Sequence, residues 1–310
     1  MKLYKVNDLK FEEICKGHYH YGIFASGFER RCTYVAKNLK KEKINVTIIF
    51  GFKELAENED RKRNDDYYKN NWTDNIIPLS SNDYKEIYNV LKENIKEQDD
   101  TIRIIVDYSS MSRIWYAAIL NWLKFAKPST TVIIDFVYSV GIYKETNLSF
   151  VIEDMLCIPG FDGIPIPLNR SIAIFGLGFD RFGPLCVLDH LEPDEIFTYL
   201  ASPAATSDYQ RISEENNKEL IEESKRAPLK LPLKSVERTF SILSEVVNPY
   251  LNKADITLIP MGPKPHILAA ILLSMRFDRF ISCMRVSHIL KEPQDIDTTG
   301  DLVATRVILK

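Results

Sequence analysis

The sequence has few residues of the kinds that build disulfide frameworks and metal sites. Among its 310 residues there are five cysteines and five histidines. The cysteines are odd in number and none has CxxC spacing, which argues against a disulfide framework and a zinc knuckle. The histidines show no HxxxH or ExxH pattern. We therefore predict no metal site and a protein of the reducing cytoplasm.

Charge of one sign and long apolar runs are also missing. Lys and Arg number 40 against 43 Asp and Glu, which leaves a net charge of −3, so the charge does not indicate nucleic-acid binding. The longest apolar run covers residues 267–275, far below the roughly 18 residues that a membrane span needs. The first residues have no apolar core of a signal peptide. We expect a soluble cytoplasmic protein that does not interact with membranes.

What the sequence does contain is a repeat. Residues 24–30 (FASGFER) recur as residues 175–181 (FGLGFDR), 151 positions later. Residues 116–125 match residues 268–277 at an offset of 152, and Pro78-Leu79 matches Pro232-Leu233 at an offset of 154. Three matches in one order at nearly constant spacing indicate an internal duplication. A duplicated chain predicts a pseudo-two-fold molecule in which a pocket on the axis is lined by both halves.

Each half alternates short β-branched runs with helical patterns. Runs that are apolar on both faces are typical of strands in parallel sheets covered by helices, and alternating strands and helices imply right-handed crossovers. The predicted fold class is α/β, with two Rossmann-like, mainly parallel sheet halves. We place the halves at residues 1–155 and 169–310, joined by a Pro/Gly-rich linker at residues 156–168. The predicted strands are residues 21–25, 46–50, 102–106, 132–140, 172–175, 196–200, 256–259, 280–286 and 302–309.

Ligands of open parallel sheets bind beyond the carboxyl ends of the strands, where loops lead into helices. The turn after the first strand of each half fits that position, because glycine admits a close ligand and a helix start offers N–H groups to an anion. The bland alternative is a tight turn, in which Glu29 and Asp180 only favour the helix N-terminus. The candidate ligand-binding residues of these turns are Ser26, Gly27 and Arg30 in the first half, and Gly176, Gly178 and Arg181 in the second.

A second pair of loops follows the strands at residues 102–106 and 256–259. Each precedes an apolar helix and combines small or hydroxylic residues with a cation, which favours contact with a phosphate group. The alternative is N-capping by serine and a rigid proline turn, although capping needs only one serine. The candidate ligand-binding residues here are Ser109, Ser110, Ser112 and Arg113 in the first half, and Gly262 and Lys264 in the second.

Catalytic candidates are few. If the protein is an enzyme, Glu29, Asp107 or Asp180 would serve as a general base or metal ligand, and His266 as a general acid. No nucleophile elbow, Walker A loop or Cys–His arrangement is present, and no residue pattern identifies a cofactor.

The turn Met261-Gly262-Pro263-Lys264-Pro265, which opens an Ala-rich helix, resembles that of CRISPR-associated Rossmann-fold nucleotide-sensor domains. Such domains carry a Gly-Thr-Lys-Pro-like turn after a late strand and a Ser/Gly-rich turn after the first. Pro263 replaces the usual threonine, and no effector domain is recognisable. The resemblance implies two such domains that hold a cyclic oligonucleotide about a two-fold axis.

Three functions remain open at this point. The leading hypothesis is a sensor or regulatory protein that binds a nucleotide or another phosphate-containing small ligand, with Arg30, Arg113, Arg181 and Lys264 as phosphate partners. The alternatives are an enzyme, a hydrolase or transferase, acting on a nucleotide or phosphorylated metabolite, and a structural subunit of a larger assembly. The sequence does not predict the oligomeric state.

Overall fold

A computed structural model describes residues 1–54, 56–143, 151–164, 169–289 and 296–310. The chain forms two compact units, Met1–Lys144 with Pro293–Lys310, and Glu145–Glu292. We refer to them as unit 1 and unit 2. Among the described residues, no helix has both the length and the apolar character needed to cross a membrane.

The predicted strands and helices follow one another in the predicted order, together with four strands of the described chain that were not predicted. The strands are β1 (Leu3–Leu9), β2 (Tyr19–Ser26), β3 (Ile44–Phe52), β4 (Ile76–Leu79), β5 (Ile102–Asp107), β6 (Val132–Ile142), β7 (Val151–Cys157), β8 (Ser171–Gly176), β9 (Glu195–Ala201), β10 (Leu229–Leu231), β11 (Asp255–Pro260), β12 (Ile281–Ile289) and β13 (Asp297–Leu309). The α-helices are α1 (Phe11–Lys16), α2 (Tyr34–Lys37), α3 (Glu59–Asn71), α4 (Tyr84–Asn94), α5 (Arg113–Ala126), α6 (Phe182–Leu191), α7 (Ser207–Asn216), α8 (Lys218–Glu223), α9 (Val236–Val247) and α10 (Lys264–Arg276). A 3₁₀ helix, Arg30–Thr33, precedes α2.

The predicted α/β class is confirmed, because each unit is built on one mainly parallel sheet. The strand order of unit 1 is β4-β3-β2-β5-β6-β13-β1, and that of unit 2 is β10-β9-β8-β11-β12-β7. Strands β2 to β6 pair in parallel, as do β8 to β12. In each unit an antiparallel strand is added beside the last parallel one. The shared order agrees with an internal duplication, which itself stays a prediction.

The antiparallel strands are exchanged between the two sheets. Strand β7 follows β6 in the chain but pairs with β12 of unit 2, where Met284 lies opposite Cys157. Strand β13 follows β12 but lies between β1 and β6 of unit 1. The division of the chain therefore differs from the predicted one, since residues near the C-terminus belong to unit 1 and β7 belongs to unit 2.

The predicted linker at residues 156–168 is not a free connection where the structure describes it. Cys157 is the last residue of β7. Beyond it, Ile158 donates its N–H to the Cys283 carbonyl (2.8 Å), and Phe161 accepts from the Cys283 N–H (2.8 Å). Residues 165–168 lie outside the described part of the chain. Proline and glycine here shape a segment that is fixed to β12, because its backbone groups bond to a neighbouring strand.

Each unit contains a helix that is largely buried, α5 in unit 1 and α10 in unit 2. Nearly every residue of α10 is buried, and α5 buries most of its length, including Trp115. A helix that is apolar on nearly all sides belongs in a core. Both helices also start immediately after a central strand, so their N-termini lie at the carboxyl edge of the sheet.

Candidate functional site

In both units the two predicted loops lie at the topological switch point of the sheet, where the strand order reverses. We call them the switch-point loops. Strand β2 lies between β3 and β5, and β8 lies between β9 and β11. The connections that leave β2 and β5 therefore run to opposite sides, as do those that leave β8 and β11. Each pair of diverging connections opens a crevice at the carboxyl ends of its two strands. In unit 1 the two loops are joined by a hydrogen bond, since Ser110 Oγ donates to Glu29 Oε2 (3.2 Å). In unit 2 they are joined through the Met261 N–H, which donates to the Gly176 carbonyl (2.8 Å).

An arginine that the sequence analysis passed over occupies the centre of the unit 1 site. Arg31 is only 1% exposed, whereas the predicted Arg30 beside it is exposed. Its Nε donates to Glu29 Oε2 (2.8 Å), and its Nη1 donates to Tyr138 Oη and to the Ser139 carbonyl (both 2.9 Å). The sequence offered a signal in the paired arginines, but it did not show which of the two faces inward.

Helix α3 holds the first loop of unit 1 in place. Asn64 Nδ2 donates to the carbonyl oxygens of Gly27 (2.8 Å) and Glu29 (3.0 Å). Ser26 Oγ donates to Asp65 Oδ1 (2.5 Å), which also accepts from Arg61 Nε (2.8 Å). Although the stretch around α3 is rich in charged residues, Arg61 and Asn64 are buried. These contacts make Ser26 part of a structural network at the site.

In the second loop of unit 1, the Asp107 carboxylate accepts hydrogen bonds from Ser109. Asp107 is buried, and its Oδ1 accepts from both the N–H (3.0 Å) and the Oγ (2.6 Å) of Ser109. Ser109 Oγ in turn accepts from the Ser139 N–H (2.8 Å). Two predicted residues are thus brought together, and their contacts connect the ends of β5 and β6.

Ser112 fits the capping alternative. Its Oγ accepts from the Trp115 N–H (3.3 Å) at the start of α5 and donates to the Ser81 carbonyl (2.7 Å). A serine at this position satisfies a helix N–H that would otherwise lack an acceptor. Arg113 is the first residue of α5 and is half-buried.

Cys32 lies beneath the first loop of unit 1 and is fully protonated at neutral pH. Its thiol donates to the Ala25 carbonyl (2.9 Å) and accepts from the Gly27 N–H (3.2 Å). Burial raises the pKa of the Cys32 thiol to about 12. Since the thiolate is the reactive form, Cys32 is a packing residue.

In unit 2 the predicted glycines let the two turns approach each other closely. A methyl group on Gly178 would lie 2.4 Å from the Met261 carbonyl oxygen, and one on Gly262 would lie 2.8 Å from that of Leu177. On Gly176 it would lie 2.5 Å from Tyr199 Oη. Contacts this short with backbone atoms do not occur for real side chains, so Gly178 and Gly262 require glycine, whereas a side chain at Gly176 would require the Tyr199 ring to move. This packing role corresponds to the alternative considered from the sequence, in which the glycines form a tight turn.

The acidic residue of the unit 2 turn serves the helix that follows. Asp180 Oδ1 accepts from the N–H groups of Phe182 and Gly183 (both 3.0 Å) at the start of α6. A carboxylate here also interacts favourably with the positive end of the helix. Arg181 is exposed and pairs with Glu219 (2.6 Å), an arrangement that contributes little to stability in water.

The same turn is held by two asparagines, one at the end of α7 and one between α7 and α8. Asn217 Nδ2 donates to the Gly178 carbonyl (2.8 Å), and Asn216 Nδ2 to that of Phe179 (2.7 Å). Asn217 thus repeats the role of Asn64 in unit 1. No local pattern in the sequence indicates either asparagine, although their spacing agrees with the repeat.

Lys264 and His266 open α10, and they differ in exposure. Lys264 is the first residue of the helix and is half-buried, whereas His266 is fully buried. Its Nε2 lies 3.3 Å from the Pro232 carbonyl oxygen. Burial lowers the pKa of His266 to about 4, so the imidazole is neutral at pH 7. A buried neutral imidazole is poorly suited to the predicted role of general acid.

Two features outside these loops can be compared with them in the part of the chain that the structure describes. Within the described residues, no cluster of His, Cys, Asp or Glu is arranged to hold a metal ion. A shallow cavity of about 340 Å³ in unit 2 is lined by Phe240, Ser244 and Arg276, among others. Arg276 ends α10, about 18 Å along the helix from Lys264 at 1.5 Å per residue. The cavity is therefore separate from the switch-point loops.

Comparison with known proteins does not assign a family. No protein-family model matches the chain, and no curated protein matches it. Among solved structures, phosphoethanolamine N-methyltransferase 1 of Haemonchus contortus, in complex with phosphoethanolamine and S-adenosylhomocysteine, aligns with 89% of this chain and 66% of its own, at 7% identity and a TM-score of 0.23. The chain thus spans just under two thirds of that protein's length. A TM-score this low has no bearing on function.

Proposed function

We propose that the protein is a sensor or regulatory protein that binds a nucleotide or another phosphate-containing small ligand at its switch-point loops. The observation that supports this most is the sheet order. In each unit the two candidate loops follow neighbouring strands whose connections diverge, which is where open α/β sheets bind ligands. Composition and periodicity alone do not place the loops together.

The charges of these loops suit an anionic ligand. Helices α5 and α10 both begin at the crevice, and their first residues are Arg113 and Lys264. A helix N-terminus presents N–H groups and a partial positive charge to a phosphate, and a cationic side chain adds a charge-assisted hydrogen bond. Arg30 and Arg181 are exposed and fit a contact with the outer part of a ligand.

The resemblance to CRISPR-associated sensor domains extends the proposal to a cyclic oligonucleotide as the ligand. It rests on Gly262, Lys264 and Pro265 and on the turns at Gly27 and Gly178.

The test is calorimetric titration with mononucleotides, dinucleotides and cyclic oligonucleotides. We expect Lys264→Ala and Arg113→Ala each to weaken binding about 10- to 100-fold, because a charge-assisted hydrogen bond contributes roughly 1.5–3 kcal/mol. The melting temperature should change little. Arg276→Ala, at the opposite end of the helix that Lys264 opens, is the matched control and should bind as the wild type does.

Two other outcomes point to the alternative functions. Product formation from a nucleotide with Mg²⁺ would favour the enzyme, for which the buried Asp107 at the end of β5 is the structural argument. A structural subunit is favoured by the internal hydrogen bonds of Ser109, Ser112 and Asp180. Absence of binding to every ligand of the panel would contradict the sensor.

A further inference from the structure

Arg31 is a buried cation whose hydrogen bonding is incomplete. Its Nε and Nη1 have the partners described above, but Nη2 is shielded from solvent and has no hydrogen-bond acceptor among the residues that the structure describes. Nη2 carries two N–H donors. Buried polar groups are nearly always hydrogen-bonded, and leaving a charged one unsatisfied is strongly unfavourable.

The guanidinium lies at the carboxyl edge of the unit 1 sheet. It is anchored to Glu29 after β2 and to Tyr138 and Ser139 near the end of β6. Glu29 is itself bonded to Ser110 after β5. The loops of three adjacent strands therefore meet around one cation, at the crevice where a ligand of this fold binds.

Close packing fixes the orientation of the guanidinium. A methyl group on Gly141 would lie 2.7 Å from Arg31 Nη1, so the backbone of β6 passes directly against it. The guanidinium carbon lies 5.1 Å from the Tyr138 ring centroid. Contacts on these sides hold the planar group rigidly, which lowers the entropy lost when a ligand binds.

The charge of Arg31 is permanent. Burial by itself lowers the pKa of the guanidinium, but the Glu29 carboxylate and Tyr138 raise it well above its usual value. The negative charge of Glu29 neutralises the positive charge of Arg31. The remaining donors therefore suit an oxygen acceptor, and a full second counter-charge is not required.

We propose that Arg31 is a ligand-binding residue of unit 1, and that Nη2 donates to an oxygen of the bound nucleotide. This inference rests on the proposed function and specifies one of its contacts. The acceptor is an oxygen of the phosphate group or a carbonyl oxygen of the base. Glu29 and Tyr138 are positioning residues that hold the guanidinium, and the exposed Arg30 makes at most a peripheral contact.

The test compares Arg31→Lys with Arg276→Lys by calorimetry, using the tightest-binding nucleotide of the panel. Lysine keeps the charge but has no planar fork of donors, so Arg31→Lys should raise Kd about 10- to 100-fold. Arg276→Lys should leave Kd within about twofold, because Arg276 ends α10 in unit 2 and is not part of the candidate loops.

Ligand fragments distinguish the two sources of oxygen. Wild type and Arg31→Lys are titrated with inorganic phosphate, with ribose 5-phosphate and with the unphosphorylated nucleoside. A difference between the proteins with the first two probes assigns the contact to a phosphate oxygen. A difference with the nucleoside alone assigns it to the base.

A measurement on the wild type covers the case in which Arg31→Lys does not fold. ¹⁵N NMR follows the Arg31 guanidinium, and its assignment is checked with Tyr138→Phe, which removes one acceptor of Nη1. Addition of the nucleotide should shift the Arg31 signals and slow the exchange of the Nη2 protons. Binding that leaves these signals and the Kd of Arg31→Lys unchanged overturns the inference alone, whereas no binding to wild type overturns the proposed function.

Discussion

Single buried polar residues distinguish the two sites most clearly. The unit 1 site is organised by the charged Arg31, and the unit 2 site includes the neutral His266. Both are fully enclosed, but Arg31 keeps its charge because Glu29 pairs with it. Among the described residues, His266 has a carbonyl oxygen as its hydrogen-bond partner. Burial therefore has opposite consequences for their protonation.

The lowered pKa of His266 predicts acid sensitivity of unit 2. In the unfolded chain a histidine titrates near 6.5, but in the folded protein it titrates at about 4. Between these values the unfolded state binds the extra proton, so stability falls as the pH drops from about 6.5 to about 4. The full loss is about 3 kcal/mol at 1.36 kcal/mol per pKa unit.

His266→Gln removes the titrating group and keeps a donor for the Pro232 carbonyl. Urea unfolding followed by circular dichroism at pH 7 and pH 5 should show a smaller loss for the variant than for the wild type. Tryptophan fluorescence follows the unfolding of unit 1, since Trp72, Trp115 and Trp122 all lie there. It serves as the reference for the unit that does not contain His266. Equal losses in both proteins would contradict a buried neutral His266.

At the scale of elements, the matching turns of the repeat differ in how closely they pack. A methyl group on Gly27 would lie 3.5 Å from Ser110 Cβ, an ordinary contact, whereas on Gly178 it would lie 2.4 Å from a carbonyl oxygen. The repeat places glycine at both positions. Tight packing of the turns requires it only at the second.

Alanine substitutions at these two positions should have opposite effects. Gly178→Ala forces the β8–α6 and β11–α10 turns apart and should destabilise unit 2 by about 1–3 kcal/mol. Gly27→Ala has room and should be neutral, or stabilise unit 1 by up to about 1 kcal/mol by restricting the unfolded chain. Hydrogen exchange measured by mass spectrometry assigns each change to its unit. Equal destabilisation by both would mean that the turns pack alike.

Hydrogen-bond partners are the part of the site that sequence reasoning predicted least well. Three serines beside an arginine indicated a phosphate site, yet the hydroxyls of Ser109, Ser110 and Ser112 bond to Asp107, Glu29 and Ser81. Ser81 and Glu29 are about 30 and 80 residues away in the chain. Local spacing contains no information about partners at such separations.

At the scale of the whole molecule, the exchange of β7 and β13 links the folding of unit 1 to the C-terminal residues. Strand β13 pairs with β1 on one side and β6 on the other, so it is an interior strand of the described sheet. Its residues Val307 and Leu309 are fully buried. Unit 1 therefore cannot complete its sheet from the first half of the chain.

Deletion of residues 296–310 should abolish the cooperative unfolding of unit 1. The deletion leaves β6 without its antiparallel neighbour and exposes apolar core, which costs about 25 cal/mol per Å². Tryptophan fluorescence in urea measures unit 1, and hydrogen exchange follows both units.

Deletion of residues 1–9 is the matched control for this experiment. It removes β1, which pairs only with β13 among the described strands and stands at the end of the order. The effect should be clearly smaller than that of removing β13. An unchanged unfolding transition after loss of β13 would show that the exchanged strand is dispensable.

The sequence by itself determined the class of fold and the position of the central strands and helices. Apolar runs and helical periodicity act over a few residues, so the strands at residues 102–106 and 256–259 and the buried helices after them could be read directly. The repeat then placed the candidate turns at equivalent positions. Shorter strands such as β4 and β10 escaped prediction, because they contain too few residues for a pattern.

Only the tertiary structure decided which strands and side chains become neighbours. The partner of β7 could not be read from its position after β6, because sheet pairing joins residues that are far apart in the chain. The same holds for Arg31, whose burial depends on Tyr138 and Ser139, more than 100 residues later. Local sequence determines what a segment can form, and long-range contacts determine which of its polar groups are enclosed, paired or left for a ligand.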